Sequence, residues 1–232
     1  MKKVAISQSN YIPWKGYFDL ISTVDIFVIY DIVQYTKDDW RNRNKIITYN
    51  GVKWVTIPTE KKDCLNKKIN EIKISKRDWY VNHLNQIKES YRKAPFYEEV
   101  INWLENIYFE CKEYIYLSQV NKHFILAINE VLEIVTKIID SENFEVGNER
   151  NQRLIDICLA LDATNYVSGP AAKKYLDEYL FNSNGLVVEW MNYEGYPKYP
   201  QLSDAFEPAV SIIDLLFNVG LKEAKFYIKK AF

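Results

Sequence analysis

Two short apolar segments near the start of the chain constrain its fold more than any other feature. Residues 4–7 predict a buried strand, and the uninterrupted apolar run DIFVIY at residues 25–30 predicts a second strand that is covered on both faces. Between them lie a turn through Asn10 and Pro13 and a helix that begins near Gly16. Strand, helix and strand in this order predict two parallel strands joined by a right-handed crossover.

The rest of the chain continues the alternation of strands and helices. We predict further strands at residues 53–58, 71–74, 166–169 and 187–190. Apolar residues three and four apart predict helices at residues 80–91, 96–109, 114–139, 149–161 and 206–218, the last of them closed by Gly220. We therefore predict an α/β fold with a mostly parallel central sheet flanked by helices, a helical insertion at about residues 78–140, and one domain over residues 1–232.

The charge balance and the cysteine content exclude several classes of protein. The chain has 232 residues, 30 basic and 31 acidic side chains and a net charge of −1, whereas proteins that coat nucleic acid carry a clear basic excess. Its three cysteines form no CxxC pair and its two histidines lie at unrelated positions, so we predict neither a disulfide framework nor a metal site. We find no signal-peptide pattern and no apolar run of membrane length, and we expect a cytoplasmic protein without a membrane span.

Aromatic side chains make up 15% of the chain, with 18 tyrosines and 6 tryptophans. A core needs few phenolic hydroxyls, so some of these rings should line clefts, where their flat faces suit sugars and nucleobases. A genome rich in A and T would also raise the tyrosine content, and composition alone does not separate the two explanations.

The loop that leaves the first strand carries the first group of candidate binding residues. In open α/β sheets, ligands bind at the carboxyl ends of the strands, where such loops lie. Aromatic side chains on this loop would supply a stacking surface. The candidates are Gln8, Tyr11, Trp14 and Tyr17. A well-packed turn would explain the same residues.

A carboxylate and a basic segment follow the second strand. Asp31, at the carboxyl end of that strand, could act as a general base or bind a hydroxyl group, and Gln34 follows it. The loop WRNRNK then alternates arginine with asparagine, which suits a phosphate because each guanidinium donates two parallel hydrogen bonds. Its candidate binding residues are Trp40, Arg41, Asn42, Arg43, Asn44 and Lys45, with Arg41 and Arg43 on a diphosphate. The alternative is a solvated charged surface.

Further candidates lie in the helices and the late loops. His83 is one helical turn from Trp79, and Asp214 lies in the apolar run IIDLLF, where a buried carboxylate needs a partner. We take both as candidate catalytic residues beside Asp31, although a structural role would explain either. The remaining candidate binding residues are Ser168 at the end of a late strand and Tyr199 and Gln201 in the loop YPKYPQ.

Many ordered blocks of this sequence resemble the WbqC-like family of bacterial proteins. They include AISQSNYIPWKGYFDLI, DIFVIYDIVQYTKDDWRNRNKI, YVSG, YPQ and SIIDLLFNVG, and together they span nearly the whole chain. The family opening usually reads HQPxYxPW, whereas this chain has Ser7 and Ser9 in place of the His and the Pro, so no role of that His carries over. The positions that match are Gln8, Tyr11, Trp14, Gly16, Tyr17, Asp31, Gln34, Asn42, Arg43, Asn44, His83, Gln201 and Asp214.

The resemblance implies a function in the biosynthesis of O-antigen or another surface polysaccharide. It implies the transfer of an acyl or aminoacyl group, with glycyl as one case, to the amine of a nucleotide-linked sugar. An amine nucleophile needs only a base and an oxyanion stabiliser, which is compatible with the lack of a Ser or Cys triad. The donor stays open between ATP plus an amino acid, an aminoacyl-tRNA and an acyl thioester, and no further cofactor is predicted.

Two alternatives stay open beside a transferase. A protein that binds the sugar nucleotide without transforming it would use the same aromatic and basic residues. Single-stranded nucleic-acid binding through Trp40 and its basic neighbours is disfavoured by the acidic balance elsewhere. RNA would be a partner only if an aminoacyl-tRNA were the donor, and the sequence leaves the oligomeric state open.

Overall fold

The computed structural model describes residues 1–203 and 205–229 of the chain. Its strands are β1 (Lys3–Ser7), β2 (Ile26–Ile29), β3 (Arg43–Thr48), β4 (Gly51–Thr56), β5 (Lys137–Asp140), β6 (Asn165–Ser168) and β7 (Val187–Trp190). Its helices are α1 (Lys15–Ser22), α2 (Trp79–Tyr91), α3 (Tyr97–Glu110), α4 (Leu117–Val131), α5 (Arg150–Ala160), α6 (Glu178–Ser183) and α7 (Ile212–Val219).

The central sheet is parallel throughout and has the order β5–β2–β1–β6–β7. In its middle strand, Ala5 is in register with Phe27 of β2 on one side and with Val167 of β6 on the other. Five parallel strands flanked by helices confirm the predicted α/β class. Because the chain winds outwards from β1 in both directions, the strand order reverses between β1 and β6, and sheets of this kind bind ligands at that point.

Each face of the sheet has its own hydrophobic cluster, because alternate residues of a strand point to opposite faces. Ala5 joins the larger cluster, which includes residues of α1–α4 and α7. Val4 and Ile6 join the smaller cluster, which packs against α5 and α6. Helices on both faces explain why β2 is entirely apolar and why β1 is apolar between its ends, Lys3 and Ser7.

Residues 114–139 do not form the single long helix that their spacing predicts. Helix α4 ends at Val131, and residues 137–140 form the edge strand β5, which pairs in parallel with β2. Glu133 has a φ of +54°, in the left-handed region, and this conformation interrupts the helix. The β-branched residues that follow favour a strand. The helical insertion predicted at 78–140 therefore comprises α2, α3 and α4, and its last residues belong to the central sheet.

Residues 43–56 form an antiparallel hairpin outside the central sheet. The strand predicted at 53–58 exists as β4, shifted by two residues, but it does not extend the parallel sheet; the basic segment predicted as a loop lies partly on β3. Strands joined by so short a turn can pair only antiparallel, because parallel pairing needs a long crossover. The strand predicted at 71–74 is instead a 3₁₀ turn at Ile69–Glu71 followed by isolated bridges.

The last helix is shorter than its apolar spacing predicts. It begins at Ile212 and not at residue 206, because the hydroxyl of Ser211 caps it by accepting a hydrogen bond from the backbone N–H of Ile213 at 3.4 Å. Residues 206–211, which were predicted as the start of this helix, lie outside it. They include Pro208, which has no backbone N–H to donate within a helix. The helix is closed at Gly220, as predicted, with a φ of +84°.

Two glycines that end helices provide a test of this packing. A Cβ atom added at Gly220 would lie 2.8 Å from Cδ1 of Phe96, whereas Gly185, after α6, has a similar φ of +77° and open space around the same position. Gly185→Ala should lower the free energy of unfolding by about 1–2 kcal/mol, the cost of left-handed backbone alone. Gly220→Ala should lower it further, because Phe96 must also move and because the ψ of 163° at Gly220 lies in a region that is essentially restricted to glycine. Urea unfolding measures both losses, and equal values would contradict the contact with Phe96.

Candidate functional site

The loop after β1, residues 8–14, is held to the rest of the protein by buried hydrogen bonds. Nδ2 of Asn44 on β3 donates to the carbonyls of Tyr11 and Ile12 at 3.0 and 2.9 Å. The hydroxyl of Ser211 donates to the Ile12 carbonyl at 2.7 Å. The hairpin and the start of α7 therefore fix the same short piece of backbone. We refer to it as loop 8–14.

Loop 8–14 contains a strained residue. Ile12 has a φ of +36°, which is unfavourable for a β-branched side chain, and it is completely buried. Backbone bonds on both sides of it help to hold this conformation: the N–H of Tyr11 donates to the carbonyl of Trp40 at 3.0 Å, and the N–H of Ile212 donates to the carbonyl of Pro13 at 2.9 Å. Strain that the surrounding structure sustains in this way is concentrated at functional sites in proteins.

Asp31, after the carboxyl end of β2, is buried and positions the start of loop 8–14. Its Oδ1 accepts from the backbone N–H of Ser9 at 2.8 Å, and its Oδ2 accepts from the Ser9 hydroxyl at 2.7 Å. Asn121 of α4 donates to the same hydroxyl at 3.0 Å. Burial raises the pKa of Asp31 to about 6, although the bonds from Ser9 and the charge of Arg41 oppose this rise. A carboxylate with this pKa can accept a proton near neutral pH.

A cavity of about 240 Å³ opens beside loop 8–14, and we call it the tryptophan cavity. Trp14 and Trp40 supply its aromatic lining, and Trp14 packs edge-on against Tyr193 with ring centroids 5.1 Å apart. Asn10 and Asn44 supply polar groups. Oδ1 of Asn10 is buried and has no hydrogen-bond partner among the described residues, which leaves an unsatisfied acceptor at this cavity.

A second cavity, of about 180 Å³, lies at the carboxyl ends of β2 and β5, and we call it the carboxylate cavity. Asp31, Asp140 and Glu142 contribute carboxylates to its lining. Lys122 of α4 also lines it and lies 2.5 Å from Asp140. Burial is the main cause of the raised pKa of Asp31, and the negative charge of Asp140 raises this pKa further. With three carboxylates and one ammonium group, this lining favours a cationic ligand.

A third cavity, of about 320 Å³, lies at the carboxyl end of β1, and we call it the arginine cavity. Ser7 and Gln8 line one side, and Arg150 and Arg153, from the start of α5, also line it. Its aromatic lining consists of Tyr30, Tyr166 and Tyr175. Ser7 occupies the position at which the family that this sequence resembles usually has a histidine.

Gln8 connects loop 8–14 to the segment after β2. Its Oε1 accepts a hydrogen bond from Arg41, and its carbonyl accepts from the hydroxyl of Tyr17 at 3.0 Å. Arg41 also lies 3.6 Å from Asp39. Burial raises the pKa of Tyr17, and the nearby Asp31 raises it further. The structure therefore brings Gln8, Tyr17, Asp31 and Arg41 together at the carboxyl edge of the sheet.

His83 and Tyr11 lie in the interior. Nε2 of His83 faces the carbonyl of Thr56 at 3.0 Å, which can only accept, so Nε2 carries the proton and Nδ1 accepts from the Tyr11 hydroxyl at 2.8 Å. The Tyr108 hydroxyl bonds to the Tyr11 hydroxyl. Burial lowers the pKa of His83 to about 4, so the ring is neutral at pH 7. Both ring nitrogens are occupied by protein partners.

Asp214 is completely buried in α7. It accepts hydrogen bonds from the hydroxyls of Tyr91 and Tyr199 at 3.0 and 2.8 Å, and from Nε2 of Gln201 at 2.7 Å. Burial raises the pKa of this carboxyl group, and the three hydrogen bonds oppose that rise. Tyr199 and Gln201, which the sequence suggests as binding residues, are thus partners of Asp214 in the structure.

Two basic candidates lie on the β3–β4 hairpin. Arg43 contacts the backbone and the carboxylate of Asp38, and its guanidinium lies 4.3 Å from the centroid of the Trp54 ring. Nζ of Lys45 lies 6.0 Å from the centroid of the Trp40 ring and 5.5 Å from that of Trp54. Cation–π contacts therefore link the basic and the aromatic side chains on the hairpin.

The last three candidates are separate from the cavities above. Asn42 is buried and donates to the carbonyl of Ile57 at 3.0 Å. Gln34 is exposed and donates to the carbonyl of Leu65 at 2.5 Å. Ser168 is buried at the end of β6, beside the point where the strand order reverses.

Asp140, Arg150 and Arg153 line these cavities and were not predicted from the sequence. Asp140 was missed because the strand that it ends was predicted as part of a helix. The sequence does contain a signal for Arg150 and Arg153 as candidate binding residues. The first turn of a helix favours acidic residues, and α5 has arginine but no acidic residue there. Within the described chain, no group of three His, Cys, Asp or Glu side chains is arranged to hold a metal ion. Nor does any helix in the described segments have the length and apolar character needed to cross a bilayer.

Comparison with known proteins identifies relatives of this chain. The model of the WbqC-like protein family matches residues 8–226, which include loop 8–14 and the lining of all three cavities apart from two residues of β1. The chain belongs to the WbqC-like protein family. This WbqC-like protein is 47% identical over 229 residues to the uncharacterized protein Rv1507c of Mycobacterium tuberculosis, across 99% of this chain and 98% of the relative. No solved structure matches it significantly.

Asn44 provides a test of how loop 8–14 is held in this WbqC-like protein. Asn44→Ala leaves the Tyr11 carbonyl without its donor and removes one of the two donors to the Ile12 carbonyl, which keeps its hydrogen bond from Ser211. It should lower the free energy of unfolding by about 2–4 kcal/mol, since a buried unpaired group costs about 1–3 kcal/mol and a lost hydrogen bond about 0.5–1.5 kcal/mol. Asn42→Ala, the matched control, removes one donor from an equally buried position and should cost less. Urea unfolding compares them, and a larger loss for Asn42→Ala would be inconsistent with this anchoring.

His83 and Asp31 should give the stability of this WbqC-like protein opposite pH dependences. The pKa of His83 falls from 6.5 to about 4 on burial, so the unfolded chain holds that proton more strongly, and stability falls as the pH drops from 6.5 to 4. The pKa of Asp31 rises from 3.8 to about 6 on burial, so the folded chain holds that proton more strongly, and stability falls as the pH rises from 3.8 to 6. Each effect amounts to about 3 kcal/mol, at about 1.4 kcal/mol per pKa unit.

Urea unfolding of the wild type, His83→Gln and Asp31→Asn at several pH values separates these effects. The unfolding free energy of the wild type minus that of His83→Gln should increase as the pH rises from 4 to 6.5. The wild-type value minus that of Asp31→Asn should decrease as the pH rises from 3.8 to 6. Parallel pH curves for all three proteins would show that neither group has a shifted pKa.

Proposed function

We propose that this WbqC-like protein transfers an acyl or aminoacyl group, such as glycyl, to the amine of a nucleotide-linked sugar in the biosynthesis of O-antigen or another surface polysaccharide. One observation carries the proposal: an aromatic cavity and a carboxylate-lined cavity lie at the ends of the neighbouring strands β1 and β2. The first suits a flat ring, and the second suits an amine. The family resemblance described above supports the biosynthetic context.

The tryptophan cavity is the site that we assign to the nucleobase or the sugar ring. Trp14 and Trp40 offer ring faces for stacking, which is worth about 1–3 kcal/mol per base in proteins that bind single strands. Asn10 offers an amide group for hydrogen bonds to the edge of the ring. Strained loop 8–14 holds Trp14 and Asn10 in position before the ligand arrives, which lowers the entropy lost on binding.

Asp31 is the group that we assign as the general base. It borders the carboxylate cavity, and its raised pKa of about 6 is close to neutral pH. In the transfer step, the amine nitrogen forms a bond to the acyl carbon, the bond from that carbon to the donor breaks, and a proton from the nitrogen passes to Asp31. Lys122 lines the same cavity and can stabilise the negative charge that develops on the acyl oxygen. ATP plus an amino acid, an aminoacyl-tRNA and an acyl thioester stay open as donors.

His83 and Asp214 suit the scaffold better than the chemistry. Protein groups occupy both ring nitrogens of His83 and donate three hydrogen bonds to Asp214. A base must lose such partners before it can accept a proton from a substrate. Asp31 also accepts two hydrogen bonds, but it is the one of the three that lines a cavity described above, and we therefore propose that it takes part in proton transfer.

A second candidate function is the binding of a sugar nucleotide without chemistry. It is favoured by the bonding of Asp31 itself, because both carboxylate oxygens accept hydrogen bonds from Ser9. It is also favoured by Ser7, which occupies the position of the family histidine and cannot replace it as a base near neutral pH. Only a measurement of turnover separates this function from the transferase.

Mass spectrometry of a UDP- or TDP-linked amino sugar tests the transferase directly. The purified protein is incubated with that sugar and each of the three donors, and we expect one donor to increase the mass of the sugar by one acyl group. Asp31→Asn should reduce the rate by about 100-fold or more, the usual contribution of a general base. Asp25→Asn is the matched control, since Asp25 is exposed next to the other end of the same strand, and it should leave the rate unchanged.

The outcomes separate the two candidate functions. Binding of the amino-sugar nucleotide in calorimetry, together with no mass increase for any donor, would reject the transferase and leave the binding function. Equal rates for Asp31→Asn and the wild type would remove Asp31 from the mechanism. Neither binding nor turnover by protein that is folded in circular dichroism would reject both functions.

A further inference from the structure

We propose that the arginine cavity binds a diphosphate group. Arg150 and Arg153 line it and lie three residues apart, on one face of α5. A guanidinium binds phosphate oxygens through two parallel hydrogen bonds, so two adjacent guanidinium groups can hold two linked phosphates. The assignment of this diphosphate to a nucleotide-linked sugar rests on the function proposed above, whereas affinity for diphosphate itself does not.

The charge of the arginine cavity is not balanced within the described protein. The ion pairs formed by residues 1–203 and 205–229 include neither Arg150 nor Arg153. In contrast, Arg41 lies 3.6 Å from a neighbouring aspartate, and Arg43 lies 3.9 Å from another. An anion should therefore bind more strongly in the arginine cavity than at the arginines of the segment WRNRNK.

Protein contacts hold both guanidinium groups in place. The Nε–H of Arg153 donates to the carbonyl of Gly147 at 3.0 Å. The guanidinium of Arg150 lies 3.5 Å from the centroid of the Tyr175 ring, in a cation–π contact. Because these contacts orient the side chains before an anion arrives, less side-chain entropy is lost when it binds.

Neutral donors in the same cavity complement the two charges. Burial raises the pKa of Tyr30, against the opposing effect of Arg153, so this hydroxyl stays protonated at neutral pH and can donate a hydrogen bond. Ser7 and Gln8 add a hydroxyl and an amide at the carboxyl end of β1. A phosphate group accepts hydrogen bonds from all of these groups, and none of them repels it.

The arginine cavity also lies close to the tryptophan cavity. Gln8 lines the first and Asn10 lines the second, and Cα atoms two residues apart are separated by at most about 7 Å. A ligand with its diphosphate between the arginines would extend an attached ring along this stretch of loop 8–14 towards the tryptophans. This juxtaposition matches the order of ring and diphosphate in a nucleoside diphosphate.

Isothermal titration calorimetry with inorganic pyrophosphate, UDP and uridine tests the proposal on the full chain. We expect pyrophosphate and UDP to bind the wild type, and Arg150→Gln and Arg153→Gln each to weaken both by roughly 10-fold or more, the loss expected for a charge-assisted contact. Arg153→Lys should recover only part of the affinity, because an ammonium group cannot donate the two parallel hydrogen bonds of a guanidinium. Weak binding of uridine should not change in these variants.

Arg92→Gln is the matched control, because it removes the same charge from an exposed arginine at the end of α2. It should leave both affinities unchanged. Arg153 also donates a hydrogen bond to the Gly147 carbonyl, so circular dichroism must show that the Arg153 variants are folded. Arg150 is exposed and does not make this hydrogen bond, so Arg150→Gln tests the site independently of it. Unchanged affinities in Arg150→Gln and Arg153→Lys, or no binding of pyrophosphate and UDP by the wild type, would overturn the proposal. Loss of pyrophosphate binding in the arginine variants, without turnover of any amino-sugar nucleotide by the wild type, would support the diphosphate site and reject the transferase.

Discussion

The position of loop 8–14 depends on the side-chain amide of Asn44. Two backbone carbonyls of the loop point into the interior, where an unpaired carbonyl costs about 1–3 kcal/mol, and this amide donates to both of them. The same bonds hold Ile12 in a left-handed conformation that its side chain disfavours. Trp14 and Asn10, which line the tryptophan cavity, lie on this same stretch of backbone between β1 and α1.

Three cavities of different chemistry follow from the topology of the sheet. The loops after parallel strands all emerge at one edge, so residues distant in sequence line adjacent spaces there. Loop 8–14 provides aromatic and amide groups, the ends of β2 and β5 provide carboxylates, and the start of α5 provides arginines. The ligand that we propose, a nucleotide-linked amino sugar, has a ring, a diphosphate and an amine, which we assign to these three cavities.

The lining of a cavity, and not burial, distinguishes Asp31 from the other two titratable candidates. His83 and Asp214 each have their hydrogen-bonding atoms satisfied by buried protein partners. Asp31 is equally buried and also accepts hydrogen bonds at both oxygens, but it borders the carboxylate cavity. The residue type alone does not distinguish these three positions, because the difference arises from what each side chain contacts.

Local pattern in the sequence determined the α/β class, the parallel pairing of β1 with β2, and most helices, because apolar periodicity and strand length are properties of neighbouring residues. It also marked loop 8–14 and Asp31 as parts of the carboxyl edge. Only the tertiary structure decided that residues 137–140 form a strand. Their apolar spacing fits a helix equally well, and the hydrogen bonds to the neighbouring strand β2 favour the strand. It alone brought Arg150 and Arg153 beside Gln8 and placed Asp140 beside Asp31. These neighbours are more than a hundred residues apart, and only the order of the strands brings them together.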